Sequence, residues 1–193
     1  TPYIIYSTGI GYRTDMDVDT SYFESGNGRD ILWDSAYSGR LGILDSYREV
    51  IGSGVHRNGE DINTGDQKVL NAALEDLREM SAATNPKIDI LAYTEVPAGT
   101  RVVNQCWSGD MLLGVWYLPE DASWTELGYW QPDDMVTGND VFCVARNAQR
   151  PVLAHEFINF FLAVDNALEN FGWTGYQPAL AALDAQTLID WEY

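Results

Sequence analysis

Residues Tyr37–Gly52 read YSGRLGILDSYREVIG, and the fold follows from this stretch. The Ser38-Gly39 pair is a turn signal, and Leu41–Leu44 is a short apolar run of strand character. Asp45, Ser46 and Glu49 follow at once, and Val50-Ile51 begins a helical pattern. A strand that runs into a helix through acids and hydroxyls places those side chains at the carboxyl edge of a sheet. Open α/β sheets bind ligands at that edge. Ser46 is a favourable N-cap, and Glu49 three residues later completes a capping-box pattern.

Working outward, residues 3–13 (YIIYSTGIGYR) are β-branched and aromatic around Thr8-Gly9, which predicts two short strands or one bent strand. Residues 14–39 are polar, with one helical turn expected near Ile31-Leu32-Trp33. Residues 41–45 read as a strand, 46–56 as a helix and 57–65 as a loop. A helix is predicted over 66–82, where Val69, Leu70, Ala73, Leu74, Leu77 and Met80 recur at three- and four-residue spacing. Lys87–Tyr93 reads as a strand, residues 95–103 hold a short helix, and Val102–Trp107 is another strand. Ser108-Gly109-Asp110 opens a helix reaching Tyr117. Glu126–Trp130 is a strand before a Pro/Asp turn, and Asp140–Ala145 is a further one. Residues 150–170 read as one long helix with Pro151 in its first turn and Phe157, Phe160, Phe161, Val164 and Leu168 on its apolar face. Gly172 is expected to end it. Strands alternating with helices give an α/β fold class.

Composition narrows the function. Of 193 residues, 46% are hydrophobic and seven are tryptophan, enough for a packed core. Acids number 29 against 11 bases, for a net charge of −18. Such a surface is a poor partner for duplex nucleic acid, which needs a basic footprint, whereas a cationic ligand is attracted to it. Much of the charge also serves solubility. No apolar run is long enough to span a bilayer. Cys106 and Cys143 lie in apolar, strand-like surroundings and are either paired or buried as free thiols. No His/Cys cluster supports a zinc site, and His155-Glu156 lacks the second histidine of a zinc-protease helix because Asn159 stands there. The Gly9–Gly11 pair lacks the third glycine of a dinucleotide loop. No cofactor or metal is therefore expected.

Several stretches, in order, resemble the spermidine/putrescine-binding proteins of ABC importers, within the type II periplasmic-binding-protein superfamily. Tyr37–Gly52 is similar to that family's second-lobe motif. Pro2-Tyr3 with Thr8–Tyr12 resembles its first crossover segment, and Ile31-Leu32-Trp33 with Tyr37 and Gly39 resembles the stretch before the motif. Trp107–Asp110 (WSGD) is similar to a family Trp-x-Gly-Asp step. Asn139-Asp140 through Ala148 resembles the returning strand. Ala154–Leu162 (AHEFINFFL) is similar to a family helix, and Gly172-Trp173 through Pro178 to a following loop.

The resemblance implies a periplasmic-binding-protein-like α/β fold comprising a second lobe, crossover strands and the C-terminal helices of a first lobe. Residues 1–13 would be a crossover strand segment, 14–137 lobe two, and 138–193 the return crossover and helices of lobe one. The start at Thr1 in mid-strand then reads as a chain cut from a longer protein. Half of lobe one would be missing, leaving apolar surface and so leaving open pairing or swapping between copies. The implied role is non-enzymatic: a periplasmic or extracellular solute-binding component, lipid-anchored in some precursors. Its partners would be a polyamine and the membrane permease.

A polyamine needs carboxylates for its ammonium groups and aromatic faces for its methylenes. Matched residue by residue, the resemblance points to Asp45, Ser46, Glu49, Trp107, Asp110 and Asp140. Each has a plainer alternative. Glu49 could serve only the helix cap, Trp107 the core, Asp110 the first turn of a helix and Asp140 a turn. Two positions depart from the family: Ser46 replaces an acid, and Gly138 stands where an aromatic is expected, with Tyr129 or Trp130 as stand-ins. These departures leave room for an amino acid, sugar or metal complex as ligand. A carboxylate hydrolase using Glu49 and Asp140 is a third reading.

Overall fold

A computed structural model describes residues 1–24, 26, 28–133 and 136–191. The strand at the centre is β1, Pro2–Arg13, one continuous element rather than two. Its bend is a register shift between Pro2 and Ile4. A 3₁₀ helix over Gly28–Trp33 realises the expected helical turn, after a short helix α1 (Ser21–Glu24). Then come β2 (Leu41–Leu44), α2 (Tyr47–Arg57), α3 (Gln67–Thr84), β3 (Lys87–Asp89), α4 (Ala92–Glu95), β4 (Val103–Trp107) and α5 (Ser108–Gly114). The chain closes with β5 (Leu127–Trp130), β6 (Val136–Val141), α6 (Pro151–Leu162), α7 (Val164–Thr174), β7 (Gln177–Pro178) and α8 (Ala185–Asp190).

The sheet runs β3-β2-β4-β1-β5, with β6 and β7 also pairing to β1. β2 is parallel to β3 and β4, which gives the α/β character. β1 is shared lengthwise. Residues from Thr8 onward pair with β4 and β5, and residues up to Thr8 pair with β6 and β7. One strand therefore joins a β2–β5 region to a C-terminal region.

The two regions bury apolar surface unequally. The largest core cluster includes Ile10, Ile31, Leu32, Leu41, Ile43, Met80 and Val103. A smaller one, with Ala92, Val96, Cys106 and Met111, lies on the other face. Both clusters belong to residues before β6.

Several expectations are corrected. The strand at Lys87 ends at Asp89, because the Asp89 side chain accepts from the Leu91 N–H at 2.9 Å and starts a turn into α4. The short helix therefore lies over Ala92–Glu95 rather than 95–103. β6 occupies 136–141 rather than 140–145, because β1 sets its register. The expected helix over 150–170 is two helices, divided at extended Ala163 (ψ 134°). Asn166 donates to the Phe160 carbonyl at 2.8 Å and satisfies the freed helix end. α7 continues through Gly172 and is closed by Gly175 at φ 71°, a left-handed cap that suits glycine. The Pro/Asp turn begins at Pro132-Asp133; Asp134 and Met135 lie outside the described residues. Both cysteines are free: Cys106 is buried in β4, whereas Cys143 is exposed beyond β6.

Candidate functional site

The first turn of α2 carries Glu49, and its setting is unusual for a helix-surface acid. Glu49 is only 8% exposed. Ser46 occupies the N-cap position, yet its side chain makes no capping bond. The capping box is thus not formed. Glu49 instead accepts a hydrogen bond at Oε1 from the Trp107 indole Nε1–H, at 3.3 Å. Its second oxygen, Oε2, is buried with no partner among the described residues. Leaving a buried carboxylate oxygen unpaired costs free energy comparable to a lost charged hydrogen bond, about 1–3 kcal/mol or more. Thr8 Oγ1 is orphaned in the same way. Both residues line one cavity of about 20 Å³, together with Gln105, Ser53 and Trp130. That volume suits one water-sized polar group.

Gln105 holds this arrangement in place. From the middle of β4 its amide donates to the Glu49 carbonyl (3.1 Å) and to Ser53 Oγ (2.7 Å). Its own carbonyl accepts from the Leu44 N–H at 3.4 Å. β2, β4 and the first turn of α2 are pinned by one buried amide. Sequence reasoning passed over Gln105, although a glutamine inside the apolar run Val102–Trp107 was a usable signal.

Trp107 ends β4 and precedes α5. Across the sheet it pairs with Thr8. Its ring meets Tyr6 edge-on, centroids 6.1 Å apart at 68°. Tyr6 was not among the expected site residues. The Tyr6 hydroxyl is pushed above its ordinary range, first by burial, then by the charges of Glu49 and Asp140, with Arg48 opposing. Those influences place Glu49 and Asp140 around one phenol. Asp140 is exposed on β6, opposite Ile4 and two residues from Gly138, which faces Tyr6. Tyr129 lies across Gly9 and Trp130 against Gly28, and Trp130 also lines the cavity beside Glu49 and Thr8.

Asp110 is placed differently from the rest. Its oxygens accept from the Trp107 backbone N–H (3.0 Å) and the Tyr176 hydroxyl (2.9 Å), and it is 5% exposed. Burial raises its pKa to about 6. Both Asp110 oxygens are thus engaged, one by the Trp107 backbone and one by Tyr176. The plainer expectation, an acid in the first turn of a helix, describes it. Asp45 is exposed at the end of β2, its backbone N–H donating to the Asp89 carbonyl at 3.0 Å. The structure thus gathers Glu49, Trp107 and Asp140 around Tyr6, sets Ser46 a turn before Glu49, and leaves Asp45 at the rim. No group of three His, Cys, Asp or Glu suited to a metal ion exists among the described residues.

No protein-family model matches the chain. A spermidine/putrescine-binding periplasmic protein of Escherichia coli is 30% identical over 188 residues, covering 94% of this chain and 50% of that protein. The chain is a homologue of the spermidine/putrescine-binding periplasmic proteins. It spans about half the length of the curated relatives it matches. A putative spermidine/putrescine ABC transporter structure from Listeria monocytogenes superposes with a TM-score of 0.77 at 24% identity, over 98% of this chain and 57% of that one. A ferric binding protein from Campylobacter jejuni gives 0.66 at 16%, over 100% and 61%. The fold is therefore that of periplasmic binding proteins. At such identities a structural likeness carries the fold alone, because proteins of this fold hold solutes as unlike as a polyamine and ferric iron.

Proposed function

We propose that this chain forms one wall of the ligand cleft in an extracytoplasmic solute-binding component of an ABC importer, and that the solute is a polyamine-like cation. The observation that carries this is the buried, unpaired Oε2 of Glu49 beside the Trp107 indole. A carboxylate kept dry and half-satisfied favours an incoming ammonium group, and the neighbouring π-face favours its methylenes. Asp140 supplies a second carboxylate, while Ser46 supplies a hydroxyl at the start of α2. The net charge of −18 adds long-range attraction for a cation. The names of the homologues support the same class of ligand, a periplasmic setting and a membrane permease as partner. A binding role needs no nucleophile, and none is invoked.

In this reading residues 1–13 are a crossover strand, 14–137 a lobe, and 138–193 the return crossover with helices of the opposite lobe. The shared use of β1 supports that division. The opposing wall would come from polypeptide equivalent to the half of the relatives that the chain does not span. Titration calorimetry with spermidine, putrescine, a sugar and an amino acid tests the assignment, on this chain alone and together with such a segment. The expected outcome is heat with the amines, abolished by Glu49→Gln. Heat only with a sugar or an amino acid would overturn the cation assignment.

A further inference from the structure

Three glycines of the sheet carry a tyrosine ring laid across them from the neighbouring strand. A Cβ on Gly128 would come within 2.3 Å of the Tyr12 ring, one on Gly9 within 2.7 Å of Tyr129, and one on Gly138 within 2.4 Å of Tyr6. Covering a strand glycine with a cross-strand aromatic is a common way to stabilise a sheet. Two of the three rings have further employment in the fold. Tyr12 packs against the main core, and the Tyr129 hydroxyl donates to the Ser7 carbonyl. Tyr6 differs from both. It belongs to neither core cluster, and its hydroxyl has no hydrogen-bond partner among the described residues.

Register explains where its free face looks. In the antiparallel β1–β6 pair, Tyr6 faces Gly138 and Ile4 faces Asp140. In the β1–β4 pair, Thr8 faces Trp107. Alternate residues of a strand share a face, so Tyr6, Thr8, Gly138, Asp140 and Trp107 all line the same side of the sheet. This is the side on which Glu49 presents its unpaired oxygen, since Glu49 is bonded to the Trp107 indole. The groups whose charge reaches the Tyr6 hydroxyl are Glu49, Asp140 and Arg48.

We propose that Tyr6 is a ligand-contacting, selectivity-setting residue whose ring covers the alkyl segment of a diammonium ligand between Glu49 and Asp140, with Gly138 as the permissive position beneath it. This rests on the reading of the site as a cation wall and adds the residue that reads the carbon chain. Each methylene that the ring covers contributes about 0.8 kcal/mol. Tyr6 should therefore act on affinity for alkyl diamines and hardly at all on affinity for ammonium itself. Gly138 should act only through the ring it admits: any side chain there displaces Tyr6.

The test is an NMR-detected titration of the intact chain, at millimolar ligand, with the Trp107 indole N–H as reporter because it is bonded to Glu49. The probes are 1,4-diaminobutane, 1,5-diaminopentane, spermidine and ammonium chloride. Tyr6→Ala is expected to weaken the diamines about tenfold, equivalent to ~1.4 kcal/mol, and to leave ammonium unchanged. Tyr6→Phe should retain wild-type affinity, because the ring and not the hydroxyl makes the contact. Gly138→Ala should reproduce the loss of Tyr6→Ala, and the double variant should be no weaker than either. Gly138→Ala also stands alone if Tyr6→Ala fails to fold. Diamine affinities unchanged in Tyr6→Ala and Gly138→Ala, with binding abolished by Glu49→Gln, would reduce Tyr6 to sheet packing and leave the cation wall standing. Failure of every amine to shift the indole of the wild type would overturn the cation wall and the role of Tyr6 together.

Discussion

Helices α3 and α6 are both written with an apolar face, and the structure treats them in opposite ways. α3 opens on Asp66, whose side chain accepts from the Lys68 N–H, and it buries Ala73, Met80 and Thr84. It closes on Asn85 in the left-handed region, at φ 45°. α6 opens on Pro151 and buries no residue at all. Val152 is 74% exposed, Phe157 57% and Phe160 58%. The contrast extends to whole regions. Residues before β6 enclose two core clusters, whereas within α6, α7 and α8 only Ala167 is buried. An uncovered face of that kind is what a contact surface presents. It fits helices that belong to a lobe completed by other polypeptide. A dimer or swapped assembly, the other consequence expected of such a surface, has no support.

The sharpest way to break this comparison is to remove apolar volume from each region in turn. Leu44 is fully buried in β2. Leu44→Ala should cost about 3 kcal/mol, read as a lower midpoint in urea unfolding. Phe157→Ala should cost about 1 kcal/mol or less, because the ring is 57% exposed and its aromatic partners among the described residues are Phe142 and Phe161. Equal losses would mean that α6 is as well packed as β2, and the division into a closed and an open region would fall.

A second probe uses the ion pair that closes the β2–β4 region. Arg101 is 5% exposed and grips Asp89 at the end of β3, with Nη1 to Oδ1 at 2.7 Å. Asp89→Ala leaves that guanidinium buried beside Asn104 alone, and about 2–3 kcal/mol of stability should be lost. The pair also predicts acid sensitivity. Arg101 holds the Asp89 carboxyl below its ordinary range. A depressed pKa means the unfolded state binds the proton more readily. The stabilisation is therefore present above about pH 4 and is lost as pH falls through the depressed value. Urea midpoints that decline below pH 4 in the wild type, with a weaker decline in Asp89→Ala, are the expected result. Identical pH profiles would remove the pair from the account.

How much of this was legible follows from what decides each element. The Tyr37–Gly52 stretch gave its strand, its helix and Glu49, because turn, apolar run and acids are local signals. The capping box was misread for a non-local reason: the Trp107 indole competes for the Glu49 carboxylate. The break at Ala163 carries no glycine or proline, and it depends on the side chain of Asn166 capping the preceding helix. Tyr6 carries no local signal in the sequence, because it meets Gly138 across β1 and β6, a register that no single segment displays. Gly138 is visible in the sequence as a departure, whereas the ring that fills its space is set by the β1–β6 pairing.

The smallest expected effect concerns Asp110, a buried acid that links the two regions, since it joins Trp107 before α5 to Tyr176 after α7. Burial raises its pKa from the ordinary carboxylate value to about 6, against the opposing pull of its two hydrogen bonds. Here the sign is the reverse of Asp89. The folded state binds the proton more tightly than the unfolded chain, so the contribution is full below about pH 4 and is lost as pH rises through 6. In Asp110→Asn, which keeps one acceptor for the Trp107 N–H and turns an amide N–H toward the Tyr176 oxygen, that slope should vanish while the decline from Asp89 persists. Melting temperatures measured between pH 4 and pH 7 would show the wild type falling relative to Asp110→Asn. A constant offset between the two across that range would mean that Asp110 does not titrate there, and the junction would be held by packing around Tyr176 rather than by a charge.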